Sequence, residues 1–98
     1  MEARLVNRQT GETIVINKPV FRIGREKPYV DYFVADPTVS RIHCEILRKE
    51  DGWYLRDCNS ANGTSLIGIT LKPNEQMRLA YGDAVWLSGT LLYFEEVR

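Results

Sequence analysis

The chain has 98 residues, with thirteen basic residues balanced by thirteen acidic ones. That length favours one domain over residues 1–98, and zero net charge excludes the strong positive field that a non-specific nucleic-acid binder needs. Cys44 and Cys58 are too few for a disulfide scaffold, no apolar run approaches the ~18 residues of a membrane span, and Met1-Glu2-Ala3-Arg4 opens no signal-peptide pattern, so a cytoplasmic domain without membrane insertion is expected.

Strand signals dominate from the start. In chain order they fall at 3–7, 12–17, 20–24, weakly at 32–34, then at 42–48, 52–57, 64–68, 77–80, 84–88 and 90–96. Each run is short, rich in Val, Ile, Leu, Tyr and Trp, and bounded by turn residues, which predicts an all-β sandwich or barrel. Thr10-Gly11-Glu12, Glu50-Asp51-Gly52, Asn62-Gly63 and Tyr81-Gly82-Asp83 read as hairpin turns. Glu26 to Val39 carries Pro28 and Pro37 and reads mainly as loop. Period two places Ile42, Cys44 and Ile46 on one face and His43 and Glu45 on the other. No run is long enough for an amphipathic helix.

Three polar blocks sit at strand ends: Gly24-Arg25, then Ser40-Arg41-Ile42-His43, then Ser60-Ala61-Asn62-Gly63-Thr64. Packed in one pair of sheets, they become neighbouring loops. Arg25 offers a planar fork of donors, Ser40 a hydroxyl and nearby amides, and Asn62 a side-chain amide; that set suits a bound phosphate. Taken singly, each has a plainer reading: a surface arginine, a turn cap, a hairpin turn. His43 is the only histidine and reads as structural, hydrogen-bonding the loops into place. A Ser40–His43–Asp57 hydrolase finds little support, because no nucleophile-elbow pattern is present and residues three apart on a strand tend to face opposite sides. A zinc site from His43, Cys44 and Cys58 would need adjacent strand residues to share one ion. No metal or cofactor is expected.

The strand-turn pattern around Ile23-Gly24-Arg25, Asp36-Pro37-Thr38-Val39-Ser40-Arg41-Ile42-His43, Tyr54-Leu55-Arg56-Asp57, Ser60 to Gly68 and Leu79 with Gly82-Asp83 resembles a forkhead-associated (FHA) domain over nearly the whole chain. The resemblance implies an FHA/SMAD-like sandwich of two twisted antiparallel sheets with about eleven strands, and a phosphothreonine-peptide site on loops at one end. It implies that Arg25 and Ser40 contact the phosphate, that Arg41 and Ser60 add contacts there, and that Asn62 holds the peptide main chain. Gly24, His43, Gly63 and Thr64 then support the site. Relatives commonly carry Thr where this chain has Ala61. The implied function is non-catalytic: a monomeric module that recruits a phosphothreonine-containing protein modified by a Ser/Thr kinase, with preference for phosphothreonine over phosphoserine. The alternatives are a phosphate-independent interaction domain of the same fold and an enzyme using His43.

Overall fold

The computed structural model describes residues 2–97; Met1 and Arg98, the ends of the expected 1–98 domain, lie outside them. The strands are β1 (Ala3–Asn7), β2 (Glu12–Ile16), β3 (Val20–Gly24), β4 (Tyr32–Phe33), β5 (Cys44–Lys49) and β6 (Gly52–Asp57), followed by β7 (Thr64–Leu66), β8 (Ile69–Thr70), β9 (Gln76–Leu79), β10 (Ala84–Leu87) and β11 (Thr90–Glu96). A single 3-10 turn, Lys27–Tyr29, is the only helical element among the described residues. None of their helices is long and apolar enough to cross a membrane.

The expected two-sheet sandwich is present. One sheet runs β2-β1-β11-β10-β7-β8 and the other β4-β3-β5-β6-β9. All pairings are antiparallel except one: β4 lies parallel to β3, with Ile23 opposite Tyr32. The core fills the space between the sheets because alternation sends every second side chain inward. Leu5, Ile23, Ile46, Leu55, Leu92 and Phe94 are fully buried there. Each such side chain contributes roughly 1.5–3 kcal/mol relative to staying exposed. Phe94 is gripped from two sides, edge-on by Trp53 at 5.7 Å and stacked by Tyr81 at 5.4 Å between centroids.

At the end of the sandwich that carries the β1–β2 and β10–β11 turns, several inward rows end in a polar residue. Asn7 closes β1, Asp57 closes β6 and Thr90 opens β11; all three are buried. A buried polar group without a partner is costly, so each must find one, and each finds it in or beside a loop. Asn7 Oδ1 accepts the Gln9 and Thr10 amides and so turns β1 into β2. The Thr90 hydroxyl donates to Asp36 and Asp57 accepts from Thr64.

Several expectations need correction. The Asn62-Gly63 and Tyr81-Gly82-Asp83 turns are not hairpins: each joins strands of different sheets, β6 to β7 and β9 to β10. The hairpin loops Ile67-Gly68 and Ser88-Gly89 lie inside or beside runs read as continuous strand. The strand expected over 42–48 starts at Cys44, because Ile42 and His43 belong to the loop crossing the sheet end. His43 and Glu45, expected on the face opposite Cys44 and Ile46, are both buried. Loops cover His43, while Arg22 and Arg56 flank the Glu45 carboxylate at 2.9 Å each.

Ile67 and Gly68 both have positive φ, 48° and 76°, in a two-residue hairpin loop. That backbone fits Asn-Gly and disfavours a β-branched side chain by roughly 1–2 kcal/mol. Ile67 is 62% exposed, so little packing offsets the strain. Ile67→Asn is expected to stabilise the fold by about 0.5–1 kcal/mol, which raises the melting temperature by roughly 2–8 °C for a chain of this size. An unchanged or lower melting temperature would show that the isoleucine side chain outweighs its backbone strain.

Candidate functional site

The three polar blocks meet at this same end of the sandwich. The Arg25 amide donates to the Ser40 carbonyl at 3.0 Å and the Glu26 amide to the Arg41 carbonyl at 3.2 Å, so the loop after β3 lies along the loop before β5. The Ala61 amide donates to Ser40 Oγ at 2.9 Å, and Asn62 Nδ2 donates to the Thr38 carbonyl at 2.7 Å. Those two bonds fasten the β6–β7 loop to the β4–β5 loop. Ser88 in the β10–β11 turn joins them by donating to Thr38 Oγ1 at 2.7 Å. Gly24 makes the closest approach: a β-carbon there would lie 2.0 Å from the Arg41 carbonyl oxygen. Only glycine lets the two backbones run this near.

His43 lies underneath, with no exposed surface. Its Nδ1 accepts the Ser40 amide at 3.0 Å, and its Nε2 lies 2.8 Å from the Gly63 carbonyl. A carbonyl only accepts, so Nε2 carries the proton and Nδ1 is bare. The ring therefore fits as a neutral imidazole, bridging the two loops. Neither nitrogen bonds the Ser40 hydroxyl or Asp57, so these three residues do not form a proton relay.

Asp57 organises the β6–β7 loop from below. Oδ1 accepts the hydroxyls of Ser60 and Thr64, the latter at 2.7 Å, and Oδ2 accepts the Ser60 amide at 3.2 Å. Ser60 Oγ in turn accepts the Gly63 amide at 3.1 Å, and Gly63 takes φ 88° to close the turn. The Ser60 hydroxyl proton is thus engaged inside the loop, and Thr64 is fully buried beside it. Asp36 does the matching work in the β4–β5 loop by accepting the Thr38 amide at 2.9 Å, its hydroxyl at 2.7 Å and the Thr90 hydroxyl at 2.9 Å. The Thr38 hydroxyl and amide hold the Asp36 carboxyl below its ordinary value. The sequence pointed to Asp57 only as the acid of an unsupported hydrolase triad, and to Asp36, Thr38 and Ser88 in no site role. The available signal was spacing: Asp36-x-Thr38 and Asp57-x-x-Ser60 are the short offsets at which an aspartate caps its own loop.

With the loops held this way, four groups face outward with capacity to spare. Arg25 is exposed; its Nε donates to the Val39 carbonyl at 2.9 Å, which orients the fork and leaves both terminal nitrogens without a partner among the described residues. Arg41 is exposed too. Neither arginine has a carboxylate partner among the described residues, whereas Arg4, Arg8, Arg22, Arg56 and Arg78 each do. Ser40 Oγ accepts from Ala61 and keeps its own proton to donate. Asn62 uses its amide nitrogen and keeps its carbonyl oxygen. The arrangement can bind an anion with two cations and a hydroxyl, and can accept one hydrogen bond from an extended chain alongside.

Burial pushes the His43 imidazole below its ordinary value of 6.5, while the Gly63 carbonyl, Asp57 and Asp36 pull the other way. The unfolded chain therefore binds this proton at a higher pH than the folded chain does. The stabilisation is complete above pH 6.5 and is lost as the pH falls from there through the folded value. Histidine is the side chain whose ordinary titration falls in this window, and His43 is the only one. The melting temperature is expected to drop between pH 7 and 5, and the ring resonances in NMR to titrate below 6.5. A ring titrating at or above that value would contradict a buried neutral bridge.

The family model of the FHA domain matches residues 21–88. Protein FraH of Nostoc sp. (strain PCC 7120) is 35% identical over 101 residues, a match covering 94% of this chain and 35% of that protein. The oxoglutarate dehydrogenase inhibitor of Corynebacterium diphtheriae is 33% identical over 86 residues, covering 88% of this chain and 57% of the inhibitor. The chain thus spans only part of the length of these curated relatives. Among solved structures, one from a study of phosphothreonine-dependent FHA domain interactions superposes with a TM-score of 0.89 at 25% identity, covering 100% of this chain and 99% of that one. The crystal structure of the MEK1 FHA domain in complex with a phosphothreonine peptide of HOP1 gives 0.81 at 32% identity, covering 95% and 94%. With the family match spanning the strands and loops that build the site, the chain belongs to the FHA domain family.

Proposed function

We propose that this chain is a non-catalytic module that binds phosphothreonine-containing segments of partner proteins modified by a Ser/Thr kinase. One observation carries the reading: Arg25, whose amide and side chain are bonded to the Ser40 and Val39 carbonyls, and Arg41, next to Ser40 in the chain, are both exposed and without a carboxylate partner among the described residues, on loops already fixed in place. A phosphate there gains charge-assisted bonds that an unmodified threonine cannot make. In this reading Arg25, Arg41 and Ser40 hold the phosphate, and the Asn62 carbonyl oxygen accepts a peptide amide and sets the register. Ser60 shapes the loop through Asp57, beside the supporting Gly24, His43, Gly63 and Thr64. The peptide-bound MEK1 relative uses a phosphothreonine ligand on the same fold, which supports the choice of ligand class. The free thiols of Cys44 and Cys58 fit a reducing, cytoplasmic setting.

Arg25→Ala removes the oriented fork from an exposed position and leaves the core untouched. A hydrogen bond to a charged group is worth about 1.5–3 kcal/mol, so phosphopeptide affinity is expected to fall roughly 10- to 150-fold with the melting temperature unchanged. Calorimetry with matched phosphorylated and unphosphorylated peptides measures it. Equal binding of the two peptides by the parent would overturn the proposal in favour of a phosphate-independent interaction domain.

Ala61→Thr tests the one position where the loop departs from its relatives' usual residue. Ala61 is exposed and its amide is already used on Ser40, so a larger side chain has room. The added hydroxyl is expected to supply one more donor to the phosphate and tighten binding by about fivefold, the equivalent of ~1 kcal/mol when water served that oxygen before. Weaker binding by a normally folded variant would place the phosphate away from residue 61.

A further inference from the structure

Beside the loop cluster lies an open cleft of about 340 Å³ between the edges of the two sheets. β2 and β4 are the edge strands there, and the Tyr32 hydroxyl ties them together by donating to Glu12 Oε1 at 3.2 Å. Its lining includes the apolar Phe33, Val34 and Ala35 and the carboxylate-bearing Glu12 and Asp36. Neither carboxylate has a cation partner among the described residues. Lys27 sits over the Phe33 ring at 4.8 Å and pairs with neither acid.

The cleft is continuous with the phosphate loops. Asp36 lines it and also holds Thr38, whose carbonyl holds Asn62. Asp36 stands four residues before Ser40, so the two places are at most ~14 Å apart along an extended chain. A bound peptide advances about 3.3 Å per residue, so the cleft falls within about four residues of the phosphothreonine. The binding end is therefore divided, with unpaired cations around Ser40 and unpaired carboxylates around Tyr32. An occupant complementary to both carries a phosphate and, a few residues away, a cation. Lysine and arginine also bring an apolar stem, which Phe33, Val34 and Ala35 can cover while the charged head meets Glu12 and Asp36.

We propose that this cleft receives a lysine or arginine side chain of the same phosphopeptide, so that the chain selects phosphothreonine segments with a basic residue within about four positions. The proposal rests on the phosphothreonine reading above. It adds a selection that the phosphate loops do not provide.

The test walks a lysine through every position from four before to four after the phosphothreonine of an otherwise alanine-rich peptide. Matched glutamate peptides and unphosphorylated copies accompany it, and affinity is read by fluorescence anisotropy on the parent protein and Glu12→Gln. Glutamine keeps an acceptor for the Tyr32 hydroxyl and removes only the charge. One lysine register is expected to bind about two- to fivefold tighter than alanine, the range for an exposed charge pair, with glutamate weaker in that register. The difference should shrink in Glu12→Gln and in high salt, while the phosphate requirement of the alanine peptide stays the same. Equal affinities for lysine, alanine and glutamate in all registers, with phosphate still required, overturn the cleft and leave the phosphothreonine reading standing. A lysine effect that survives intact in Glu12→Gln also overturns it. A lysine effect without any phosphate requirement overturns the phosphothreonine reading, and with it the coupled selection proposed here.

Discussion

A single buried imidazole fixes the geometry of the binding end. His43 is held between the Ser40 amide and the Gly63 carbonyl, which belong to loops leading into strands of different sheets. Each bond demands a specific state of the ring: Nδ1 must be bare to accept, and Nε2 must carry the proton to donate. Only the neutral ring meets both demands, so the loop spacing depends on a protonation state that burial favours. Gly24 supplies the complementary constraint from the other side, because its missing side chain is what lets the Arg41 backbone lie against the end of β3. The loops are thus ordered before a ligand arrives. A ligand then does not have to offset the cost of ordering them, and its charge-assisted contacts appear more fully as affinity.

The polar groups at this end divide into two sets with different tasks. Asp36 with Thr90, and Asp57 with Ser60 and Thr64, satisfy one another within the loops, while Asn7 is satisfied by the Gln9 and Thr10 amides and by Tyr32. Arg25, Arg41, Ser40 and Asn62 keep donors or acceptors in reserve. The second set depends on the first. Asn62 can present its carbonyl oxygen because Thr38 holds its amide nitrogen, and Thr38 stays in place because Asp36 holds both its amide and its hydroxyl. In the proposed phosphothreonine reading Asp57 serves the site by holding the loop and Arg25 by meeting the phosphate.

Much of this was legible in the sequence, and the exceptions have physical causes. Period-two alternation located most strands, since a strand between two packed sheets must bury every second side chain. It failed where the backbone departs from the strand region. Ile67 takes φ 48°, which its β-branched side chain disfavours, so residues 64–68 read as one strand although a hairpin turn interrupts it. Asn62-Gly63 carries a strong hairpin signal, but here the left-handed glycine turns the chain from one sheet to the other. The burial of His43 was not legible, because the Gly63 loop that closes over it is distant in sequence. Asp36 and Asp57 did not stand out as loop organisers for a related reason. An aspartate at a strand end is an ordinary turn former, and only the meeting of loops gives it partners such as Thr90, fifty-four residues away.

The zero net charge excluded a non-specific polyanion binder, but a sum over the chain hides how charge is placed. Most cations on the sheet faces are paired: Arg22 and Arg56 with Glu45, Arg4 and Arg8 with Glu95, Arg78 with Asp51. Such pairs cancel at short range and project little field into solvent. At the binding end, Arg25 and Arg41 are left without a carboxylate while Glu12 and Asp36 are left without a cation, among the described residues. The field that remains is therefore local and two-signed. A single-signed field would attract any polyanion and discriminate poorly. Opposite unpaired charges a few residues apart penalise a ligand that matches only one of them, which makes charge pattern along the peptide, and not total charge, the quantity this surface can read.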